Sequence, residues 1–337
     1  MRIFSVILVL VCWPLAPAAS PQDTDQADVY ELKIPLGFPA LPPIPEDNPL
    51  TPAKVELGRK LFHDPILSSN NKISCATCHK AELNFATNDP VAVGIDDRVG
   101  TRNAPSLLNR AYGKTQFWDG RSGSLEDQAL QPIENKDEMG TSIDAAIDRL
   151  RASSEYRALF AAAFPTSHSE KDSNPINRDT LAKTIACFER TLLIGGSQVD
   201  RFRNNDYTAL PQEARKGMWV FESKGGCWQC HSTENFSDED FHNTGVGFES
   251  ANRDPGLFNK TGIDSDRFRY KTPTLRGAAL TAPYMHDGSL KTLEDVVEFY
   301  SRGGSPKDPS LDPKLKPLNL TDAEKKQLVA FLKALSE

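Results

Sequence analysis

Two copies of the motif Cys-x-x-Cys-His constrain this chain more than any other feature. The first copy is Cys75-Ala76-Thr77-Cys78-His79, and the second is Cys227-Trp228-Gln229-Cys230-His231, 152 positions further along. Two thiols on one helical turn can bond the two vinyl-derived carbons of one haem, and the following histidine then points at the iron. A zinc site would need four ligands, whereas each motif offers three, and no strand pattern precedes either pair as in a redox dithiol. The sequence therefore predicts two covalently bound haem c groups, one in each half.

The N-terminus has the pattern of an export signal. Arg2 precedes an apolar run over residues 3–15, and small residues follow at 16–19. We expect residues 1–19 to be a cleaved secretory signal peptide, because the run is too short to span a bilayer comfortably. No later stretch is apolar enough to cross a membrane, so the sequence predicts a periplasmic protein with no membrane span. The formal net charge of −7 argues against a nucleic-acid partner.

Helical patterns dominate the rest of the chain, and strand signals are few and short. Residues 20–50 are rich in proline and are expected to lie as an extended leader on the surface. Residues 51–205 and 206–337 are predicted to form two mostly helical domains, each with one cysteine motif, and the break falls near residues 204–211. Cys187 stands apart from both motifs among apolar neighbours, and we expect it to be a buried small hydrophobe.

Further segments become recognisable around the two motifs. They are His63-Asp64-Pro65-Ile66-Leu67-Ser68, Arg102-Asn103-Ala104-Pro105-Ser106-Leu107, Gln116-Phe117-Trp118-Asp119-Gly120-Arg121 and Leu280-Thr281-Ala282-Pro283-Tyr284-Met285-His286-Asp287-Gly288. Together with the haem motifs, this ordered set resembles the bacterial di-haem cytochrome c peroxidase and MauG family over nearly the whole mature chain. The resemblance implies a mainly α fold of two cytochrome c-like domains, the N-terminal one peroxidatic and the C-terminal one for electron transfer.

The resemblance also assigns roles to individual positions. His79 and His231 would be the proximal ligands of the two haem irons. Trp118 matches the tryptophan that relays charge between the haems, although alone it would more often be a core aromatic. Gln128 and Glu138 match polar residues of the peroxide pocket, with Glu138 as the acid/base group.

A calcium site between the domains is implied in the same way. Asn103, Thr281 and Pro283 match its protein ligands, which are one side-chain amide and two backbone carbonyls. Oxygen ligands completed by water suit a calcium ion. Without the resemblance, Asn103 and Thr281 would be read as ordinary turn residues.

The sequence departs from the ordinary peroxidase at two positions. Ile95 stands where many peroxidases have the histidine that ligates the resting N-terminal haem, so that haem should react without prior reduction. Tyr300, seventeen positions after Pro283, stands where the peroxidases supply a methionine to the C-terminal haem. Tyrosine is the MauG-type ligand and a hard anionic donor, which should lower the reduction potential. Met285 and His286 are rival ligands on chemistry alone.

Three functions remain open at the level of sequence. The favoured one is a MauG-like enzyme that uses hydrogen peroxide to form a high-valent di-haem state. That state would oxidise aromatic residues of a periplasmic partner protein by long-range electron transfer. One alternative is a cytochrome c peroxidase that reduces hydrogen peroxide with electrons from a small cytochrome or copper protein. Another is a non-enzymatic electron carrier, which would have no use for Gln128 and Glu138.

Overall fold

The computed structural model describes residues 29–165 and 174–336, so the predicted signal peptide lies outside the described residues. The fold is mainly α, as predicted. Its α-helices are α1 (Pro52–His63), α2 (Cys75–Cys78), α3 (Leu125–Glu134), α4 (Ile143–Ala152), α5 (Ser154–Ala163), α6 (Arg178–Glu189), α7 (Gln198–Arg203), α8 (Gln212–Glu222), α9 (Phe258–Thr261), α10 (Leu293–Ser301) and α11 (Asp322–Ala334). Two short strands, β1 (Phe241–His242) and β2 (Tyr270–Lys271), pair antiparallel with Phe241 opposite Lys271. No helix in the described part of the chain is long and apolar enough to cross a membrane.

The N-terminal half packs around α1. Thr51 caps this helix by accepting a hydrogen bond from the backbone N–H of Lys54, and Pro52 occupies the first turn, where its missing N–H costs nothing. The helix buries Leu57 and Leu61 in a core shared with α3, α4, α5 and α6. Gly58 lets α1 approach α6 closely, because a Cβ there would collide with the carbonyl oxygen of Thr184.

The C-terminal half repeats this arrangement with α8 and α11. Val220 and Phe221 of α8 share a core with Phe331 and Leu332 of α11. Gly217 has the same role as Gly58, because a Cβ there would collide with the carbonyl oxygen of Gln327. The two halves therefore share a close helix crossing at a glycine.

The leader and helix α7 pack against the two halves. Residues 29–50 contact both halves: the Asn48 side chain donates to Glu126 Oε1 at 2.8 Å, and the Arg276 guanidinium lies over the Phe38 ring at 4.7 Å. Cys187 is fully buried, as expected, and packs beside Leu50 and Val55. Val199 of α7 belongs to the C-terminal core, although the helix precedes the predicted break.

Candidate active site

The first cysteine motif forms one helical turn. The Thr77 hydroxyl accepts a hydrogen bond from the Ser74 N–H at 3.0 Å, which fixes the start of α2. The His79 N–H donates to the Cys75 carbonyl at 2.9 Å, so the histidine directly follows the turn that carries both thiols. Its ring Nδ1–H donates to the Phe85 carbonyl at 2.9 Å, and burial lowers the pKa of His79.

The second motif holds its histidine in the same way, although its turn is built differently. Gly226, with a left-handed φ of 59°, starts a 3₁₀ turn over Cys227–Gln229. The His231 N–H donates to the Cys227 carbonyl at 2.9 Å, and ring Nδ1–H donates to the Phe236 carbonyl at 3.0 Å. Burial again lowers the pKa of His231.

Both sites fit a haem better than a metal-thiolate centre. Each motif offers two sulfurs and one histidine ring nitrogen that is not already hydrogen-bonded, whereas a structural zinc site needs four ligands. Each histidine is neutral with Nδ1 fixed by a carbonyl, which leaves Nε2 free to bind iron in a set orientation.

Glu138 lies close to the first pair of cysteines. Burial, followed by the Glu138 carboxylate, raises the pKa of Cys78. The Glu138 side chain accepts a hydrogen bond from Asn135 Nδ2 at 2.6 Å, and burial raises the pKa of its own carboxyl above the ordinary value. The backbone N–H of Ile95 donates to the Glu138 carbonyl at 2.9 Å, so Ile95 is buried beside this acid. Gln128 is half-buried on α3, the helix that leads into the Glu138 loop.

Tyr300 faces the second pair of cysteines. It lies near the end of α10, and burial, followed by the sulfurs of Cys230 and Cys227, raises the pKa of its phenol. His286, one of its rivals, packs against a strand residue. Its ring stacks on Tyr270 with centroids 3.6 Å apart and planes tilted by 12°.

Trp118 lies between the two halves. Its indole Nε1–H donates to the Asn103 carbonyl at 2.9 Å, and the Asn103 N–H donates to the His286 carbonyl at 2.7 Å. The Trp118 carbonyl in turn accepts from the Lys271 N–H at 2.9 Å. Both ends of this hydrogen-bonded chain therefore lie in the C-terminal half.

Arg102 is a further residue at this interface that the sequence motifs contained but did not single out. Its guanidinium binds both carboxylate oxygens of Asp254, at 2.6 and 2.9 Å, and reaches Asp119 at 2.7 Å. Asp119 follows Trp118 and Asn103 follows Arg102, so the partly buried Arg102 cation joins the segments that hold the indole. Bidentate pairs of this kind fix orientation as well as charge. In the sequence, the Arg102-Asn103 dipeptide was the signal that could have identified Arg102.

The predicted calcium residues come from segments that contact each other. The hydrogen bond from Asn103 N–H to the His286 carbonyl joins the first segment to the turn that contains Thr281 and Pro283. Asn103 is buried, and its Nδ2 donates to the Asp89 carbonyl at 3.0 Å, so Oδ1 is the atom available to a cation. The Thr281 hydroxyl donates to the Ala278 carbonyl at 3.2 Å, which leaves its backbone carbonyl as the candidate ligand.

Comparisons with known proteins agree with this geometry. Residues 52–208 match the family described as di-haem cytochrome c peroxidase. The methylamine utilization protein MauG of Methylorubrum extorquens is 38% identical over 99% of this chain and 96% of its own length. The cytochrome c551 peroxidase of Nitrosomonas europaea is 34% identical over 87% of this chain and 83% of its own length.

A solved structure shows the same fold. It is a MauG-like protein associated with microbial copper homeostasis, 32% identical, with a TM-score of 0.83. The match covers 92% of this chain and 96% of that protein. Similarity of this extent includes both cysteine motifs and the interface between the halves.

Proposed function

The chain belongs to the di-haem cytochrome c peroxidase and MauG family, and we propose that it is a MauG-like member that oxidises aromatic residues of a partner protein. Several relatives are named as cytochrome c peroxidases, and the chain is accordingly a haem-dependent oxidoreductase acting on peroxide rather than a simple electron carrier. Family membership implies two haem c groups and a protein partner. The observation that carries the finer assignment is Tyr300 beside Cys227 and Cys230.

Each cysteine motif would hold one haem, which supplies the oxidation–reduction chemistry with peroxide. The contribution of the chain would be to attach the haem through two thioether bonds, formed when the cysteine thiols add to the haem vinyl groups, and to present Nε2 of His79 or His231 to the iron. The carbonyls of Phe85 and Phe236 hold these rings in one tautomer. A fixed neutral imidazole is the form that binds a metal.

Glu138 is proposed as the group that moves a proton at the peroxide site. Burial raises its pKa, so the carboxylate is a better base than an exposed glutamate; it would take a proton from peroxide and return it to the leaving oxygen, and Asn135 orients the carboxyl. A positioned carboxyl of this kind typically contributes 10²–10⁴-fold to a rate. Gln128, from the adjoining helix, would bind the peroxide. Ile95 offers no ligand, so the iron on His79 would keep an open position for peroxide.

Tyr300 is proposed as the second protein ligand of the iron on His231. Burial favours the neutral phenol when no metal is bound, but a nearby metal cation reverses that preference. A phenolate oxygen stabilises the more highly charged iron, which favours storing an oxidising equivalent over accepting electrons from a small donor.

Trp118 is proposed as the relay between the two haem sites. The hydrogen bonds at its indole and its carbonyl fix the ring in one place between the halves. A calcium ion bound by Asn103, Thr281 and Pro283 would strengthen the same contact.

The partner is proposed to dock over the second motif. Trp219 at the end of α8 is 71% exposed, and Trp228, between the two motif cysteines, is 51% exposed. Large aromatic residues are usually well buried, and exposed ones are enriched at interfaces. Export to the periplasm, predicted from residues 1–19, would bring the chain to such a partner.

Replacing Tyr300 tests the proposal. The all-ferric protein should react with peroxide directly, and Tyr300→Phe should change the absorption and electron paramagnetic resonance spectra of the C-terminal haem only. Tyr300→Met should raise its potential and favour turnover with a small electron donor. An unchanged C-terminal haem spectrum in Tyr300→Phe would remove the main argument for the MauG-like assignment.

The second candidate is a peroxidase that detoxifies hydrogen peroxide. The similarity to cytochrome c551 peroxidase favours it. A requirement for one-electron reduction before any reaction with peroxide, together with rapid turnover of a reduced small cytochrome, would support this candidate instead.

A further inference from the structure

A buried group of charges lies against the second cysteine motif. The His242 ring contacts two carboxylates, with Nδ1 at 2.6 Å from Asp312 Oδ2 and Nε2 at 3.0 Å from Asp238 Oδ2. The three side chains are only 8–14% exposed. A neutral imidazole has one donor and one acceptor, whereas a carboxylate only accepts. Both ring nitrogens must therefore donate, and His242 is an imidazolium ion between two aspartates.

The backbone fixes this group beside the haem attachment point. The Asp238 N–H donates to the Cys230 carbonyl at 2.8 Å, and the Asp312 N–H donates to the Asn243 carbonyl at 2.9 Å. Ligand atoms of Cys230, Asp238 and His242 all lie within 4.8 Å of one another. The charges thus lie next to the sulfur that would carry the second haem.

A metal ion is a poor occupant for this group. Haem attachment converts the Cys230 sulfur to a thioether, and both nitrogens of His242 are already engaged by carboxylates. The Cys230 sulfur, followed by Asp312 and Asp238, raises the pKa of His242 to about 9. Since a thioether carries no charge, the two aspartates would hold the proton in the haem-bound chain.

We infer that Asp238, His242 and Asp312 form a fixed-charge site that lowers the reduction potential of the haem on His231. These two carboxylates and one imidazolium sum to one negative charge, which favours the ferric over the ferrous iron. Lys314, whose Nζ donates to the Gln229 carbonyl at 3.3 Å, is an exposed cation, so water and salt screen its charge more than that of the three enclosed groups. Within the described residues no comparable group of His, Cys, Asp and Glu ligand atoms accompanies the first motif. The site would therefore make the two haems unequal, independently of the ligand that Tyr300 supplies.

This inference rests on the proposed haem attachment, but its test does not depend on reactivity with peroxide. Asp312→Asn and Asp238→Asn each remove one negative charge with little change in shape. At pH 6, each should shift the ferric–ferrous equilibrium of the C-terminal haem about tenfold toward ferrous iron, which is about 59 mV for one electron. Spectroelectrochemical titration of the two-haem protein measures this, with haem content checked by intact mass. Asp264→Asn, in an exposed pair with Arg267 at 3.0 Å, is the control and should leave both potentials unchanged.

Three results would overturn the inference. They are unchanged potentials in both variants with two haems bound, equal shifts of both haems, and loss of the second haem from both variants, which would make the group an assembly element. A wild-type protein that lacks bound haem would instead defeat the proposed function.

Discussion

The two cysteine motifs hold their histidines alike but face different surroundings. In both, the histidine N–H returns to the first cysteine carbonyl and ring Nδ1 binds a phenylalanine carbonyl further along. Beyond that shared frame, the first motif has Glu138 and the side chain of Ile95 nearby, whereas the second has Tyr300 and a charged group around His242. The shared backbone geometry is what attachment of a haem requires. The different surroundings would give the two haems different roles.

The strongest test of that division is to remove each histidine in turn. His79→Gly should abolish the reaction with peroxide and leave the second haem spectrum intact, because the open iron position belongs to the first site. The matched change His231→Gly should leave a measurable reaction at the first haem. Stopped-flow absorbance, with haem counted by intact mass, measures both. Equal losses of the peroxide reaction in the two variants would contradict the proposed difference between the two haem sites.

Glu138 is the next test. Glu138→Gln should slow the reaction with peroxide about 10²–10⁴-fold, the usual worth of an acid/base group. Burial raises the pKa of Glu138, so on acidification the wild-type rate should begin to fall at a higher pH than it would with an exposed glutamate. The rate of the variant should not show this fall. Glu134→Gln, at an exposed pair with Arg178, is the control. A rate for Glu138→Gln within a few-fold of the wild-type rate would show that this carboxyl does not transfer the proton.

Calcium removal probes the contact between the halves. Chelation should lower turnover several-fold and alter the haem spectra without releasing either haem, because an ion at Asn103 would hold the segments around Trp118. Asn103→Ala should behave like chelated protein, whereas Asn103→Asp keeps an oxygen ligand and should respond to added calcium. Identical spectra and turnover after exhaustive chelation would show that the proposed site is absent or idle.

The smallest effect concerns Glu189, a buried carboxyl near Cys75 of the first motif. Burial raises the pKa of Glu189 to about 8, and its Oε2 is buried without a hydrogen-bond partner. The native state therefore keeps a proton that the unfolded chain releases, so this stability is fully present below the ordinary pKa of 4.5 and is lost progressively as pH rises from there to about 8. The slope is up to about 1.4 kcal/mol per pH unit. Urea unfolding of Glu189→Gln should show a flatter pH dependence, and an unchanged slope would contradict the assignment.

Some features followed from the sequence because they depend on neighbours along the chain. The motif spacing predicted two haem sites, and the helical patterns predicted a mainly α fold. Apolar neighbours on both sides predicted the burial of Cys187. The boundary between the domains stays a prediction, although the packing of Val199 with the C-terminal core favours a break before α7.

Other features depend on residues that only folding brings together. Tyr300 lies seventy or more positions from Cys227 and Cys230, so the sequence favoured it only through the family resemblance and left Met285 and His286 as rivals on chemistry alone; the fold brings Tyr300 beside both cysteines. The salt bridges of Arg102 and the imidazolium at His242 likewise arise from partners distant in sequence. Local periodicity determines which helices form, whereas the packing of one half against the other decides which charges and rings surround each haem site.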